Sequence, residues 1–361
     1  MSFFRQGLAS LAYGSQTKFL VGCILVSSGV LLAAGGGSWD ITNHLLNRPE
    51  TFFAPPHLLL YSGVGAAVAG AAMLFTASRR TGRVVWPAKL AIAGVALLVS
   101  AGPVDFAWHS NFGLDGLMSP PHFVLVSGMV TSSLGGLAGM AFYGSTALRG
   151  GERLKLHPAL VVLGVVALWL SLSGLVDMLT LPFSDTDYFD FDPDPAVAVV
   201  LATTLFPLVI AACLCGASFL SGRRFGAMSL TGAAFVGIGV LSSILPSESL
   251  QSTIPFYVLA MIPIVVADAI MSYRFWRPFA LPLYAAGAIL GVTFFMIYYP
   301  LITHTYNEFI DSNRIVWASV TAPIYFEMIE TVYPLLVVPS AAVGTAGAIA
   351  ASRLMSKSRI M

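Results

Sequence analysis

The feature that most constrains this chain is a run of about 20 apolar residues that recurs along its length. Phe19 to Ala34 holds no charged residue, nor does Leu58 to Ser78, nor Pro158 to Val176. Segments of this kind cross hydrocarbon as α-helices, because a helix satisfies its own backbone where no water is present. Charge is scarce to match, at 10% of 361 residues against roughly 25% in soluble domains. The expected fold is therefore all-α, a polytopic membrane helical bundle. Ten spans are expected, near 17–38, 56–77, 86–106, 121–143, 158–179, 195–217, 226–245, 254–273, 278–300 and 315–352. The last is long enough to break near Pro334 or Pro339.

The basic residues alternate with these spans. Arg79, Arg80, Arg83 and Lys89 share one connection, and Arg149, Arg153 and Lys155 share the next on that side. Arg223, Arg224, Arg274 and Arg277 follow. Arg5, Lys18, Arg353, Lys357 and Arg359 lie toward the termini. Only Arg48 and Arg314 of the 18 Lys and Arg fall opposite. The positive-inside rule makes the basic side cytoplasmic, with both termini there, in a multi-pass cell (inner) membrane protein. The acids Asp185, Asp187, Asp190, Asp192 and Asp194 then face the periplasm or exterior, as a solvated loop. The net charge of +1 gives no support to nucleic-acid binding. Cys23, Cys213 and Cys215 fall within spans, without metal-finger spacing, and read as small buried apolar residues.

Two outward connections repeat each other. Asp40, His44 and His57 in the first correspond to Asp105, His109 and His122 in the second, all at one constant offset (40 to 105, 44 to 109, 57 to 122). Both copies place Pro-Pro just before the last histidine and Ser-Gly shortly after it. The first span, with small residues after it, could pass for a cleaved signal peptide, but cleavage would destroy the first copy, so an uncleaved span is expected. A degenerate third copy keeps Gly174, Asp177 and Asp187 and lacks both histidines; a weaker echo lies around His304. The repeating unit is a helix–loop–helix hairpin of about 65–75 residues. The expected organisation is residues 1–145 as two metal-site hairpins with four spans, and 146–361 as a degenerate-repeat bundle of about six.

Asp40 and His44 are spaced i, i+4, so a helix puts them on one face roughly 6 Å apart. His57 follows Pro55-Pro56, and proline suits a helix's first turn. A closed hairpin therefore brings one carboxylate and two imidazoles to one point, the ligand set of metals that keep open positions. Copper, iron and zinc all accept such ligands. Glu50 and Asp115 occupy matching loop positions, as further ligands or as partners that orient an imidazole. Trp39, Phe52, Phe53, Trp108 and Phe112 surround the motifs, as walls of an apolar pocket or as an interfacial aromatic belt. Asp–His hydrogen bonds that merely lock each hairpin are the structural alternative.

Elsewhere, Glu327 and Glu330 read as intramembrane carboxylates, for a polar contact or a proton path. Asp268 is expected to pair with Arg274 and Arg277. His157 is expected to serve the start of its span, and His304 stands alone in its loop.

The tandem D-x3-H-x12-H motif, carried by Asp40, His44 and His57 and again by Asp105, His109 and His122, resembles the C subunit of copper-dependent membrane monooxygenases, the particulate methane and ammonia monooxygenase family. The resemblance covers about residues 20–145. It implies copper at the first set and a second metal at the next, with O₂ and a small apolar or amphipathic substrate. Partner membrane subunits, or a homo-oligomer, are implied as well. Asp105 stands where that family carries Asn, and more hairpins follow than the family has. The resulting expectation is a membrane oxidase or monooxygenase with two ions near the outer face. The alternatives are a copper store, sensor or transporter component, and a non-heme iron oxygenase.

Overall fold

The structure is a computed structural model. It describes residues 13–45, 51, 53–79, 84–112, 118–146, 148–149, 152–153, 156–180, 195–245, 248–273, 280–293 and 330–358. The described chain is mostly α-helical, with short turns, a 3-10 helix at Glu248–Thr253 and one two-residue antiparallel pair. The helices are α1 (Tyr13–Leu45), α2 (Pro55–Arg79), α3 (Trp86–Phe112), α4 (Pro120–Thr146), α5 (Pro158–Thr180), α6 (Pro195–Leu220), α7 (Ala227–Ile244), α8 (Ile254–Leu259), α9 (Met261–Ser272), α10 (Leu281–Thr293) and α11 (Glu330–Ser358). The strand pair joins Leu148–Arg149 to Glu152–Arg153 in one short connection, and the all-α expectation holds.

Eight of these segments are long and apolar enough to cross a membrane. Two of the ten expected spans are shorter in the described residues: Ala227–Ser242 and Leu281–Thr293. The second ends at Thr293, where that described stretch ends. The span expected at 254–273 divides at Ala260 into α8 and α9. Pro263 supplies the reason, since it has no N–H to give to the carbonyl one turn back. Ala260 N–H is shared between Phe256 O and Tyr257 O, at 3.3 and 3.2 Å. No break occurs at Pro334 or Pro339, and α11 continues through both.

Glycine sets how closely the first four helices pack. A Cβ at Gly36 of α1 would lie 2.7 Å from Pro56 O, and one at Gly22 would lie 2.9 Å from Gly70 O. Gly29 and Gly63 meet backbone to backbone between these two levels. The sequence rises on one helix as it falls on the other, so α1 and α2 are antiparallel. In the second hairpin Gly94 of α3 meets Gly128 and Ser132 of α4, and Gly135 meets Ala91. The Gly29–Gly63 and Gly94–Gly128 contacts are related by the same offset as the ligand motifs (29 to 94, 63 to 128). Close approach of this kind suits helices in lipid, where van der Waals contact rather than water exclusion holds them together. Gly287 and Gly344 meet in the same way between α10 and α11.

The helices α1 to α4 form a closed group, because α1 packs on both α2 and α4, α2 on α3, and α3 on α4. Across the α1–α4 seam, Gly136 faces Ser27 and Gly139 faces Cys23. Three small apolar clusters fill this half, around Phe19 and Cys23, around Val30 and Leu98, and around Ala67 and Val95. A single larger cluster joins α5, α6, α7, α9, α10 and α11 about Trp169, Ile210 and Leu290. All three cysteines are buried and free.

Candidate metal centre

The helices that carry the ligands run past the expected span ends. α1 reaches Leu45 rather than stopping near residue 38, and α3 reaches Phe112 rather than residue 106. Asp40 and His44 therefore sit on one helix at i, i+4, and Asp105 and His109 on another. Both Pro-Pro pairs begin helices, at Pro55 and Pro120. Ser119 precedes the second pair and caps α4. Its Oγ accepts the His122 N–H at 3.4 Å, and its carbonyl accepts the Phe123 N–H at 2.9 Å.

The packing brings these ends together. The α1–α4 seam places residue 27 level with 136. Following it outward by about 13 residues, or about 20 Å, brings Asp40 level with the first turn of α4, where His122 sits. Asp40, His57, Asp105, His109 and His122 thus lie at one end of the four-helix group. Lys18, Arg79 and Lys89 mark the opposite end.

Asp105, His109 and His122 form the better-defined cluster. Asp105 Oδ1 stands 3.2 Å from His122 Nε2 and 3.5 Å from His109 Nε2. The two imidazoles face each other with centroids 5.6 Å apart and planes inclined at 49°. One potential ligand atom from each residue lies within 4.8 Å of the others, and all three residues are half-buried. Two ligand atoms on one ion at 2.0–2.2 Å stand about 2.9–3.5 Å apart, the range of both carboxylate–imidazole separations. Asp105 Oδ1 is screened from solvent and accepts no hydrogen bond of good geometry among the described residues. A buried carboxylate oxygen left in that state is costly. A cation between the three groups satisfies all of them, so these residues fit a metal ion.

Asp40 and His57 make the corresponding contact in the first hairpin, with His57 Nε2 2.8 Å from Asp40 Oδ1. The other ring nitrogen, Nδ1, donates to the Thr51 carbonyl at 2.9 Å. That bond fixes the ring and turns Nε2 toward Asp40, the role a backbone carbonyl commonly plays behind a metal-bound histidine. His44 lies on α1 at the ligand position, but its side chain falls outside the described residues, as do Glu50, Phe52 and Asp115.

Of the other aromatic candidates, Trp108, next to His109 in sequence, and Phe112 pack against each other with centroids 4.7 Å apart. Trp39 is half-buried, whereas Phe53 is 71% exposed. In the third hairpin, Asp177 is half-buried on α5, and residues 181–194 lie outside the described set. His157 serves the start of α5, where its Nδ1 accepts the Ala159 N–H at 3.3 Å. Glu327 and His304, and the side chain of Glu330, are likewise outside the described residues.

Asp268 has partners that the sequence reading did not name. Its Oδ2 accepts the Gly226 and Ser229 N–H groups at 2.9 Å each and the Ser229 hydroxyl at 2.7 Å. It therefore caps α7 from α9; Arg274 and Arg277, its expected partners, lie outside the described residues. A helix start offers several unpaired N–H groups to a carboxylate, and the turn at Gly222 to Gly226 brings this one within reach. Arg223, left-handed at φ 56°, is held there by a 3.0 Å hydrogen bond from Nε to Met271 O.

No protein-family model, characterised protein or solved structure matches this chain. The structure by itself defines a class: a membrane-type helical bundle with, among the described residues, one Asp-His-His group able to hold a metal ion.

Proposed function

We propose that this chain is an integral-membrane metalloenzyme, a copper-dependent monooxygenase or oxidase acting near the outer face of the cell membrane. The observation that carries the reading is the convergence of Asp105 Oδ1 with the Nε2 atoms of His109 and His122 at 3.5 and 3.2 Å. Three protein ligands leave coordination positions open, as catalytic sites do and closed structural sites do not. The Asp40–His57 contact, with His44 on the same helix, supports a second ion. Both hairpins repeat one design at a single offset, in the ligands and in the packing glycines alike. The positive-inside pattern puts this end outside and both termini inside.

A redox cation bound here supplies O₂ activation. The chain's own residues hold and orient it. Thr51 O fixes the His57 ring, Ser119 seats His122 at the start of α4, and Asp105 sits between two imidazoles. Trp108 and Phe112 offer an apolar flank for a small apolar or amphipathic substrate arriving from the bilayer. Partner membrane subunits or further copies of the chain complete the proposed assembly. A stepwise path for a transported ion would need ligands across the bilayer, whereas the described ligand groups gather at one end.

Elemental analysis of the purified protein, with oxygen consumption measured under a chemical reductant, tests the proposal. Copper that is lost in His122→Ala together with the oxygen consumption supports it. Iron in place of copper turns the reading to a non-heme iron oxygenase. Bound metal without any oxygen consumption leaves a metal store or sensor.

A further inference from the structure

Tyr61 has no counterpart in the repeated motif, since the equivalent position in the second copy is Val126 (61 to 126). It nonetheless lies at the ligand end of α2, in the helix's second turn. It lies on α2 four residues after His57, so the two share a helix face one turn apart. Their rings are 6.0 Å apart, centroid to centroid, and inclined by only 32°. Long side chains on a helix lean back toward its N-terminus, and here that direction carries the phenol toward the level of His57. Asp40 is in turn 2.8 Å from His57 Nε2, so the ring beside Tyr61 is the one that meets the first carboxylate. No other residue with a potential donor oxygen or nitrogen stands one turn beyond His57 on this face.

We propose that Tyr61 is a further metal ligand, its phenol oxygen joining Asp40 and His57 at the first cation site. This rests on the metal-binding reading above and extends it. His57 and Tyr61 then form a third i, i+4 ligand pair, beside Asp40 with His44 and Asp105 with His109. Coordination forms the oxygen–metal bond and releases the O–H proton to solvent; no electron moves. The two sites become unequal, one with a phenol oxygen and one without.

The test uses the full chain in detergent micelles, stripped with a chelator and titrated with Cu(II) alone. Cations bound per chain, affinity and visible absorption are read for the wild type, Tyr61→Phe, His57→Ala and the remote control Tyr284→Phe. The wild type and Tyr284→Phe are expected to develop a phenolate-to-copper charge-transfer band. Tyr61→Phe is expected to lose the band and to bind one cation at least about tenfold more weakly, with the other unaffected. A wild type that binds copper without the band, a band that persists in Tyr61→Phe, or unchanged affinity in that variant overturns the inference. If His57→Ala still loses a cation in those cases, the metal reading stands and only the role of Tyr61 fails. A wild type that takes up no copper overturns both.

Discussion

The two ligand-bearing hairpins share their spacing and differ in what holds it. In the α3–α4 hairpin, Ser119 caps the helix that presents His122, and Asp105 stands between two imidazoles at 3.2 and 3.5 Å. In the α1–α2 hairpin the position equivalent to Ser119 is Ala54 (54 to 119), which has no side-chain oxygen. The constraint comes instead from Thr51 O on the His57 ring. One hairpin is braced through the backbone that carries His122, the other through the His57 ring itself. The comparison indicates that the repeated motif specifies ligand placement, while each loop supplies its own way of stiffening it.

The strongest test of the comparison removes one ligand at a time. His122→Ala is expected to weaken binding of one cation by more than about 100-fold, beyond the 10–100-fold typical of residues behind the ligands, and to leave the other cation in place. His57→Ala is expected to do the reverse. Metal content per chain, measured after dialysis against a weak chelator, decides the matter. Loss of both cations from either variant would show a single shared site and end the description as two hairpins.

Packing offers a second way to separate them. Gly29 and Gly94 are equivalent, and each meets backbone of its partner helix so closely that a side chain has no room. Gly29→Leu is expected to force α1 from α2, and Gly94→Leu to force α3 from α4, at about 1–3 kcal/mol each. Each should loosen its own metal site more than the other. Thermal unfolding in detergent, with and without metal, measures both effects; equal loss at both sites would mean that the four helices yield as one unit.

A control comes from the other half of the molecule. Asp268→Ala removes the acceptor for three donors at the start of α7, which is expected to cost about 1–3 kcal/mol through unsatisfied N–H groups. Metal content should stay unchanged, since α7 and α9 lie outside the four-helix group. A fall in bound metal would show that the two halves are energetically joined.

The approach of Asp105 to His109 and His122, and of Asp40 to His57, was legible in the sequence because it depends on local periodicity. An i, i+4 pair stays on one face wherever the helix goes, and Pro-Pro marks a helix start whatever packs beside it. The glycine contacts were half legible: Ser-Gly recurs in both motifs, but the partner of Gly63 or Gly128 is settled only when helices meet. Tyr61 was not legible, because repeat comparison finds what is shared and Val126 breaks the match. The Asp268 cap was not legible either, since its donors lie 39 and 42 residues away and nearby arginines offered a simpler partner. The division at Ala260 followed from Pro263, which is visible in the sequence but equally compatible with an unbroken span.

The finest distinction between the hairpins is the cap at Ser119. Its side chain is 2% exposed, and its Oγ accepts the N–H of His122 itself, so the ligand's backbone and the helix start are fixed together. Ser119→Ala gives this hairpin the residue its counterpart already has. An N-cap of this kind contributes about 1 kcal/mol, and part of that reaches the metal through the placement of His122. The expected effect is a loss of about 1 kcal/mol in stability and a fall of no more than about fivefold in second-site affinity. The first site should be unchanged. Isothermal titration of the variant with one divalent cation measures the affinity. A larger loss would mean that the second site relies on the cap as heavily as the first relies on Thr51.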